Sequence, residues 1–222
     1  FVEDYGSDVI HAWGMTEMSP IGSLGVRTAK ARALDDDQWW KLKLKQGRPP
    51  FMVDMKITDD EGRTLPTNTI GNILVKGANV FVGYWRMPEK TKEEFTADGF
   101  FITGDVGRQD ADGRVWISGR AKDLIISGGY NVYPKEIELL LDEMAGVTES
   151  AVIGCPHPDF GEAVVAVVLG QGDEKAMIAA AREKLAAFKA PKRVFFVDDL
   201  PRNAMGKVQK NVLRETYKDV FA

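Results

Sequence analysis

The sequence predicts a mixed α/β protein in two parts, a β-rich region across roughly the first half and a compact α+β region after Gly119. Before Gly119, short stretches alternate apolar and polar residues between Gly-rich turns, as half-buried strands do. After it, apolar residues at helical spacing mix with uninterrupted apolar runs. The 222 residues, 44% hydrophobic and 28% charged, have the composition of a folded globular protein rather than a disordered or fibrous one. They contain no internal repeat and no low-complexity segment.

Residues 11–13 read as a strand. Residues 53–58 alternate and run into Asp59-Asp60-Glu61-Gly62, a half-buried strand entering a turn. Residues 73–75 and 114–118 read as short strands, the latter launched by the Asp110-Ala111-Asp112-Gly113 turn, and residues 88–95 as a brief helix. Beyond Gly119, residues 123–127 form a strand and Gly128-Gly129 a turn. Pro134 opens a helix carrying Ile137, Leu140, Leu141 and Met144. Apolar runs at 150–154 and 163–169 follow, then an Ala-rich helix at 174–187, a strand at 193–197, a Pro/Gly loop at 201–207 and a helix from about Val212.

Lys and Arg number 29 against 33 Asp and Glu, a formal net charge of -4, so no global basic field argues for nucleic acid or an anionic membrane surface. The longest apolar stretch, residues 163–169, is far short of the ~20 residues of a membrane-spanning helix. One cysteine, Cys155, and two distant histidines, His11 and His157, make neither an internal disulfide nor a zinc site. A cytoplasmic location is the expectation. The chain opens on Phe1-Val2-Glu3-Asp4-Tyr5 with no initiator Met, which reads like the interior of a longer protein.

Four separated segments carry unusual residue choices. In Trp13-Gly14-Met15-Thr16-Glu17 an aromatic can stack on a base, Gly lets a phosphate approach the backbone, Thr can bond its oxygens and Glu can hold Mg²⁺. By itself the segment equally fits a strand-to-helix turn with an N-cap Thr. The second segment joins Gly83-Tyr84-Trp85 to a stretch from Asp98 to Asp105, where an Asp after a tight Gly turn can grip paired ribose hydroxyls or be an ordinary turn residue. The third, Gly119-Arg120-Ala121-Lys122-Asp123 leading to Ser127-Gly128-Gly129-Tyr130, suits a hinge or a plain linker. The fourth, Pro201-Arg202-Asn203-Ala204-Met205-Gly206-Lys207, is a flexible loop whose lysine either swings into a site or is solvated.

Together, in this order, the four segments resemble the acyl-adenylate-forming superfamily, which includes acyl-CoA synthetases, and the resemblance runs over essentially the whole chain. From about Val75 onward the chain looks most like malonyl-CoA synthetases, notably in Pro88-Glu89-Lys90-Thr91-Lys92 and Val197-Asp198-Asp199-Leu200-Pro201-Arg202-Asn203. Before about Gly71 it looks more like medium-chain fatty acyl-CoA synthetases, in residues 13–20, in Gln46-Gly47-Arg48-Pro49-Pro50 and in an insertion-like stretch at 27–45.

The resemblance implies the C-terminal part of a large α/β adenylation domain with a β-rich subdomain over residues 1–121, then a small α+β lid domain over 122–222. It implies a carboxylate:CoA ligase that makes an acyl-adenylate from ATP and a small carboxylate, malonate or a related short- or medium-chain acid, and passes the acyl group to CoA. A carrier-protein-loading adenylation domain and a non-catalytic lid or interaction fragment are the alternatives. Carried over residue by residue, Trp13 stacks on adenine where Tyr is usual, with Gly14 and Met15 beside it. Thr16 touches phosphate, Glu17 holds Mg²⁺, and Asp105 and Arg120 bind the ribose. Lys122 is the hinge, Gly128 and Gly129 line the CoA pantetheine tunnel with Tyr130 packed beside it, and Lys207 bridges the reacting carboxylate and the α-phosphate. The resemblance also makes Lys207 a target for a protein lysine acetyltransferase and a deacylase. The family's Ser/Thr/Gly-rich phosphate loop belongs upstream of the first segment, so the 222 residues alone are expected to be inactive.

Overall fold

A computed structural model describes residues 2–222 and divides into two compact units, one ending at Ser118 and the other spanning Gly119–Ala222.

The first unit begins with a one-turn helix, α1 (Val2–Tyr5), and a two-stranded antiparallel ribbon of β1 (Ala12–Gly14) and β2 (Ile21–Leu24). Two helices follow, α2 (Ala29–Arg32) and α3 (Asp36–Lys43), in a region where the sequence suggests only an insertion. The cause of α3 is local: the Asp35 side chain accepts from Gln38 N at 2.8 Å, acidic residues occupy the first turn, and Lys41 and Lys43 sit in the last, each matching the helix dipole. The main sheet runs β3-β4-β5-β6, from β3 (Val53–Thr58) and β4 (Gly71–Gly77), through α4 (Pro88–Glu93), to β5 (Phe101–Gln109) and β6 (Val115–Arg120). Its buried face gathers Val53, Ile57, Ile73, Val75, Phe101 and Val115 with Met18. Helix α4 stops before Phe95, short of the expected end, where the backbone leaves the helix: Phe95 forms an antiparallel bridge to Phe101, the Glu94 carbonyl accepts from Ile102 N at 2.8 Å, and the Phe95 ring packs on Phe81 and Phe101.

The second unit opens with a 3₁₀ turn, Ala121–Asp123, so the strand expected from 123 is shortened to β7 (Ile125–Ser127), which pairs with β8 (Tyr130–Val132). Helix α5 (Pro134–Asp142) ends before Met144, which still packs on the core. Then come β9 (Val147–His157), β10 (Gly161–Gly170), α6 (Glu174–Lys184), β11 (Arg193–Val197) and α7 (Lys210–Thr216), the last beginning two residues before the expected Val212. Strands β9 and β10 are antiparallel, whereas β10 and β11 run parallel, which requires the α6 crossover between them. The run Ala163–Val168 is fully buried because both faces of β10 are covered. Val164, Ala166 and Val168 join Ile137 and Leu141 of α5 and Met177 of α6, while Val165 and Val167 join Cys155 and Leu213 of α7.

Cys155 lies at 0% exposure, and burial, with the Glu162 carboxylate adding to it, pushes its thiol up to about 11. A raised thiol pKa stabilises the fold below the unfolded value near 9, and that stability is lost as pH climbs toward 11, because the unfolded chain releases the proton first. Urea unfolding should therefore lose roughly 2–3 kcal/mol across this window. Cys155→Ala should reduce the slope between pH 9 and 10, leaving the part that Tyr84 and Tyr217, also raised, contribute, and an unchanged slope in that variant would assign the loss elsewhere.

Candidate functional site

The first segment sits where β1 passes into a 3₁₀ turn, Thr16–Met18. Gly14 has no alternative there: a Cβ would stand 1.7 Å from the Pro20 carbonyl oxygen. Met15, not Thr16, is the N-cap, in extended conformation and without a side-chain cap bond, so the N-cap reading of Thr16 is wrong. Thr16 begins the turn with its side chain exposed and available to a ligand.

A second segment holds this turn. Asn79 Nδ2 donates to the carbonyls of Met18 and Ile21, each at 2.8 Å, and Phe81 N donates to the Glu17 carbonyl at 2.8 Å. Tyr84 Oη donates to Glu17 Oε1 at 3.0 Å, and its ring lies edge-on to Phe81. Burial, with the Glu17 carboxylate beside it, pushes the Tyr84 phenol up to about 12, so it remains a donor across the physiological range. The Glu17 carboxylate is thus oriented from both its backbone and its side chain. The sequence assigns neither Asn79 nor Tyr84 a part in this: Tyr84 stands in one of the unusual segments with no sign of its role, and Asn79 carries no local signal.

Asp105 is not an ordinary turn residue, one of the two readings that the sequence leaves open for it. It lies inside β5, 4% exposed, where the β4–β5 register passes from Asn72↔Val106 to Leu74↔Ile102 and leaves 103–105 as a bulge, with Gly104 at φ 70°. Bulges re-aim side chains. Here the bulge brings Asp105 Oδ2 within 2.8 Å of Trp13 Nε1, joining residues 92 positions apart. Trp13 itself is half-buried and packs on the first unit's core.

In the second unit Arg120 and Lys122 are exposed, Lys122 within the 3₁₀ turn whose Asp123 pairs with Arg214 at 2.7 Å. Gly128 and Gly129, at φ 58° and 81°, form the two-residue turn of the β7–β8 hairpin, where successive positive φ values favour glycine. Gly128 N donates to the Phe160 carbonyl at 2.9 Å, Gly129 is exposed at the tip, and Tyr130 stacks on Phe188.

The 201–207 segment is a closed turn rather than the expected flexible loop. Asn203 N donates to the Lys207 carbonyl at 2.9 Å, Asn203 Oδ1 accepts from Lys207 N at 3.0 Å, and Arg202 pairs with Glu149 of β9. Lys207 is held by its backbone while its side chain is exposed. Among the described residues no group of three or more His, Cys, Asp or Glu could hold a metal. One oriented carboxylate, Glu17, fits Mg²⁺ arriving with nucleotide phosphates, because Mg²⁺ commonly takes one or two protein carboxylates plus substrate oxygens and waters. No helix among the described residues is long and apolar enough to cross a membrane.

The profile of the AMP-binding enzyme family matches residues 1–85, and that of the AMP-binding enzyme C-terminal domain matches residues 136–207. The 3-methylmercaptopropionyl-CoA ligase of Ruegeria pomeroyi is 42% identical over all of this chain and 42% of its own length. The medium-chain-fatty-acid–CoA ligase of Ectopseudomonas oleovorans is 37% identical over all of this chain and 41% of its own. The crystal structure of ATP-bound MatB from Rhodopseudomonas palustris is 51% identical, with a TM-score of 0.87, and is matched over 100% of this chain and 43% of that one. The chain therefore spans less than half the length of these relatives. With both AMP-binding profiles matched in order, and a mixed α/β fold shared with an ATP-bound relative at half identity, the chain belongs to the acyl-adenylate-forming superfamily.

Proposed function

We propose that the protein carrying this chain is an AMP-forming carboxylate:CoA ligase, with ATP, CoA and a short- or medium-chain acid as substrates and malonate the first candidate. The observation that carries this reading is the 2.8 Å bond between Trp13 and Asp105, which sets an aromatic face and a ribose-gripping carboxylate side by side. Trp13 offers its face to adenine with Gly14 and Met15 beside it, and Asp105 and Arg120 receive the ribose hydroxyls. Thr16 bonds a phosphate oxygen, and Glu17, steadied by Tyr84, meets the Mg²⁺ that accompanies ATP. When bound, that ion screens the phosphate charge. Lys207 supplies a point charge between the carboxylate and the α-phosphate.

On the same reading residues 1–121 belong to the adenylation domain and 122–222 to the lid. Lys122 is the hinge between them, and the Gly128-Gly129 tip presents backbone to the pantetheine arm of CoA. A cytoplasmic location would supply the ATP and CoA that this reaction consumes. The resemblance to malonyl-CoA synthetases from about Val75 onward supports malonate, and the medium-chain and methylmercaptopropionyl ligases support a longer or thioether acid.

The test is ATP–pyrophosphate exchange by the protein carrying this chain, with malonate, 3-methylmercaptopropionate and octanoate offered separately, followed by thioester formation with CoA. Exchange with one acid at least about tenfold above the others, and its thioester formed on free CoA, is expected. Exchange with none of them, or acyl transfer only to a carrier protein, would overturn the ligase reading.

A further inference from the structure

The first unit contains a cavity of about 510 Å³ that none of the nucleotide-site residues lines. That volume is in the range of small-molecule sites. One wall is aliphatic, built from Ala31, Leu34 and Leu42 of the α2–α3 region. Around it stand four cations, Lys30, Lys41, Arg48 and Arg114, and a single acid, Asp112. Asp112 feels the charge of Arg114 at longer range, but its own ion pair is with Lys30, at 2.7 Å.

Arg114 is the decisive group. It is 4% exposed, yet among the described residues its guanidinium has no ion-pair or hydrogen-bond partner. Asp110, the other carboxylate of the preceding turn, is committed elsewhere: one oxygen accepts the backbone N–H of Asp112 and Arg114, and the other pairs with Lys45 at 2.6 Å. Arg48 runs along Gly113, next to Arg114, and it too lacks an ion-pair partner among the described residues. A guanidinium cannot shed its charge to relieve burial and offers a planar fork of donors suited to carboxylate or phosphate. The Arg114 donors reach the cavity rather than a protein acceptor, and an anion there would give them a charged partner.

We propose that this cavity binds a small amphipathic anion, with a carboxylate or phosphate head received by Arg114 and Arg48 and a short aliphatic body lying against Leu34 and Leu42. The site is separate from the nucleotide residues and stands whether or not the ligase reading holds.

The test is calorimetric titration of the protein carrying this chain with hexanoate, hexyl phosphate, inorganic phosphate and hexan-1-ol, with methyl NMR to locate the bound molecule. Saturable binding of hexanoate or hexyl phosphate is expected, with shifts at the Leu34 and Leu42 methyls; which of the two binds more tightly identifies the head group. Inorganic phosphate and hexan-1-ol should each bind about tenfold or more weakly, since each lacks one half of the chemistry. Arg114→Gln should weaken binding by about tenfold. Arg48→Gln, at an exposed position where folding is not at stake, should weaken it comparably and decides the matter if Arg114→Gln does not fold. No saturable binding of either amphiphile, equal binding by folded Arg48→Gln, or shifts confined to the surroundings of Trp13 would overturn the proposal.

Discussion

Lys207→Ala, in the complete enzyme, is expected to lose acyl-adenylate formation by ~10²-fold or more, the scale for removing a charge that acts mainly in the transition state. The substitution is clean because the turn does not depend on the side chain. Asn203 holds Lys207 through its backbone N–H and carbonyl, and Arg202 anchors the turn to Glu149. Thioester formation from a supplied acyl-adenylate should survive, because the proposed role of the lysine lies in the first half-reaction. Acetylation of Lys207 removes the same charge and enlarges the side chain, so a protein acetyltransferase should reproduce the alanine phenotype and a deacylase reverse it. Pyrophosphate release and thioester formation, measured separately, decide the matter: equal loss in both half-reactions, or full adenylation by acetylated enzyme, removes Lys207 from the role.

The largest expected effect on stability is at Glu138, a carboxylate 6% exposed on α5. Its Oε1 meets Lys210 Nζ at 2.5 Å and accepts from the Val152 backbone N–H at 3.0 Å, tying α5 to the start of α7 and to β9. Glu138→Ala strands a mostly buried ammonium and a backbone donor, and should cost about 3–5 kcal/mol in urea unfolding. Glu138→Gln keeps an acceptor for Val152 and should cost less. Glu138→Leu combined with Lys210→Met removes both charges and should recover most of the loss, because a buried ion pair is often no better than apolar groups of similar volume. A Glu138→Ala cost under about 1 kcal/mol would mean that water reaches the pair and screens it.

Elements with strong local causes are legible in the amino-acid sequence. Strand Val53–Thr58 carries alternation and a following turn, and Arg193–Val197 has β-branched and aromatic residues; for both, the expected and observed bounds coincide. Pro134 marks the first turn of α5 because its missing N–H costs nothing there. Helix α3 is not among the expected elements, although Asp35, Asp36 and Asp37 stand at its start in the pattern of a capped N-terminus. Helix ends fall short of expectation where the backbone turns away, as at Phe95, which bridges to Phe101, and after Met144, where Gly146 takes φ 84°.

By itself the sequence determined the family, through four segments in a fixed order along the chain. It also determined the mixed α/β class, through local periodicity that needs only neighbours along the chain to express itself. Tertiary structure decided what those segments do to one another. That Trp13 meets Asp105 depends on a bulge in β5, and that Tyr84 steadies Glu17 depends on Asn79 and Phe81 reading the backbone of a distant turn. Tertiary structure alone also left Arg114 buried without a paired counter-charge beside an aliphatic wall. The reason is physical: hydrogen-bond partners and desolvation are set by what the folded chain brings within a few ångströms, and residues 92 positions apart carry no local trace of that meeting.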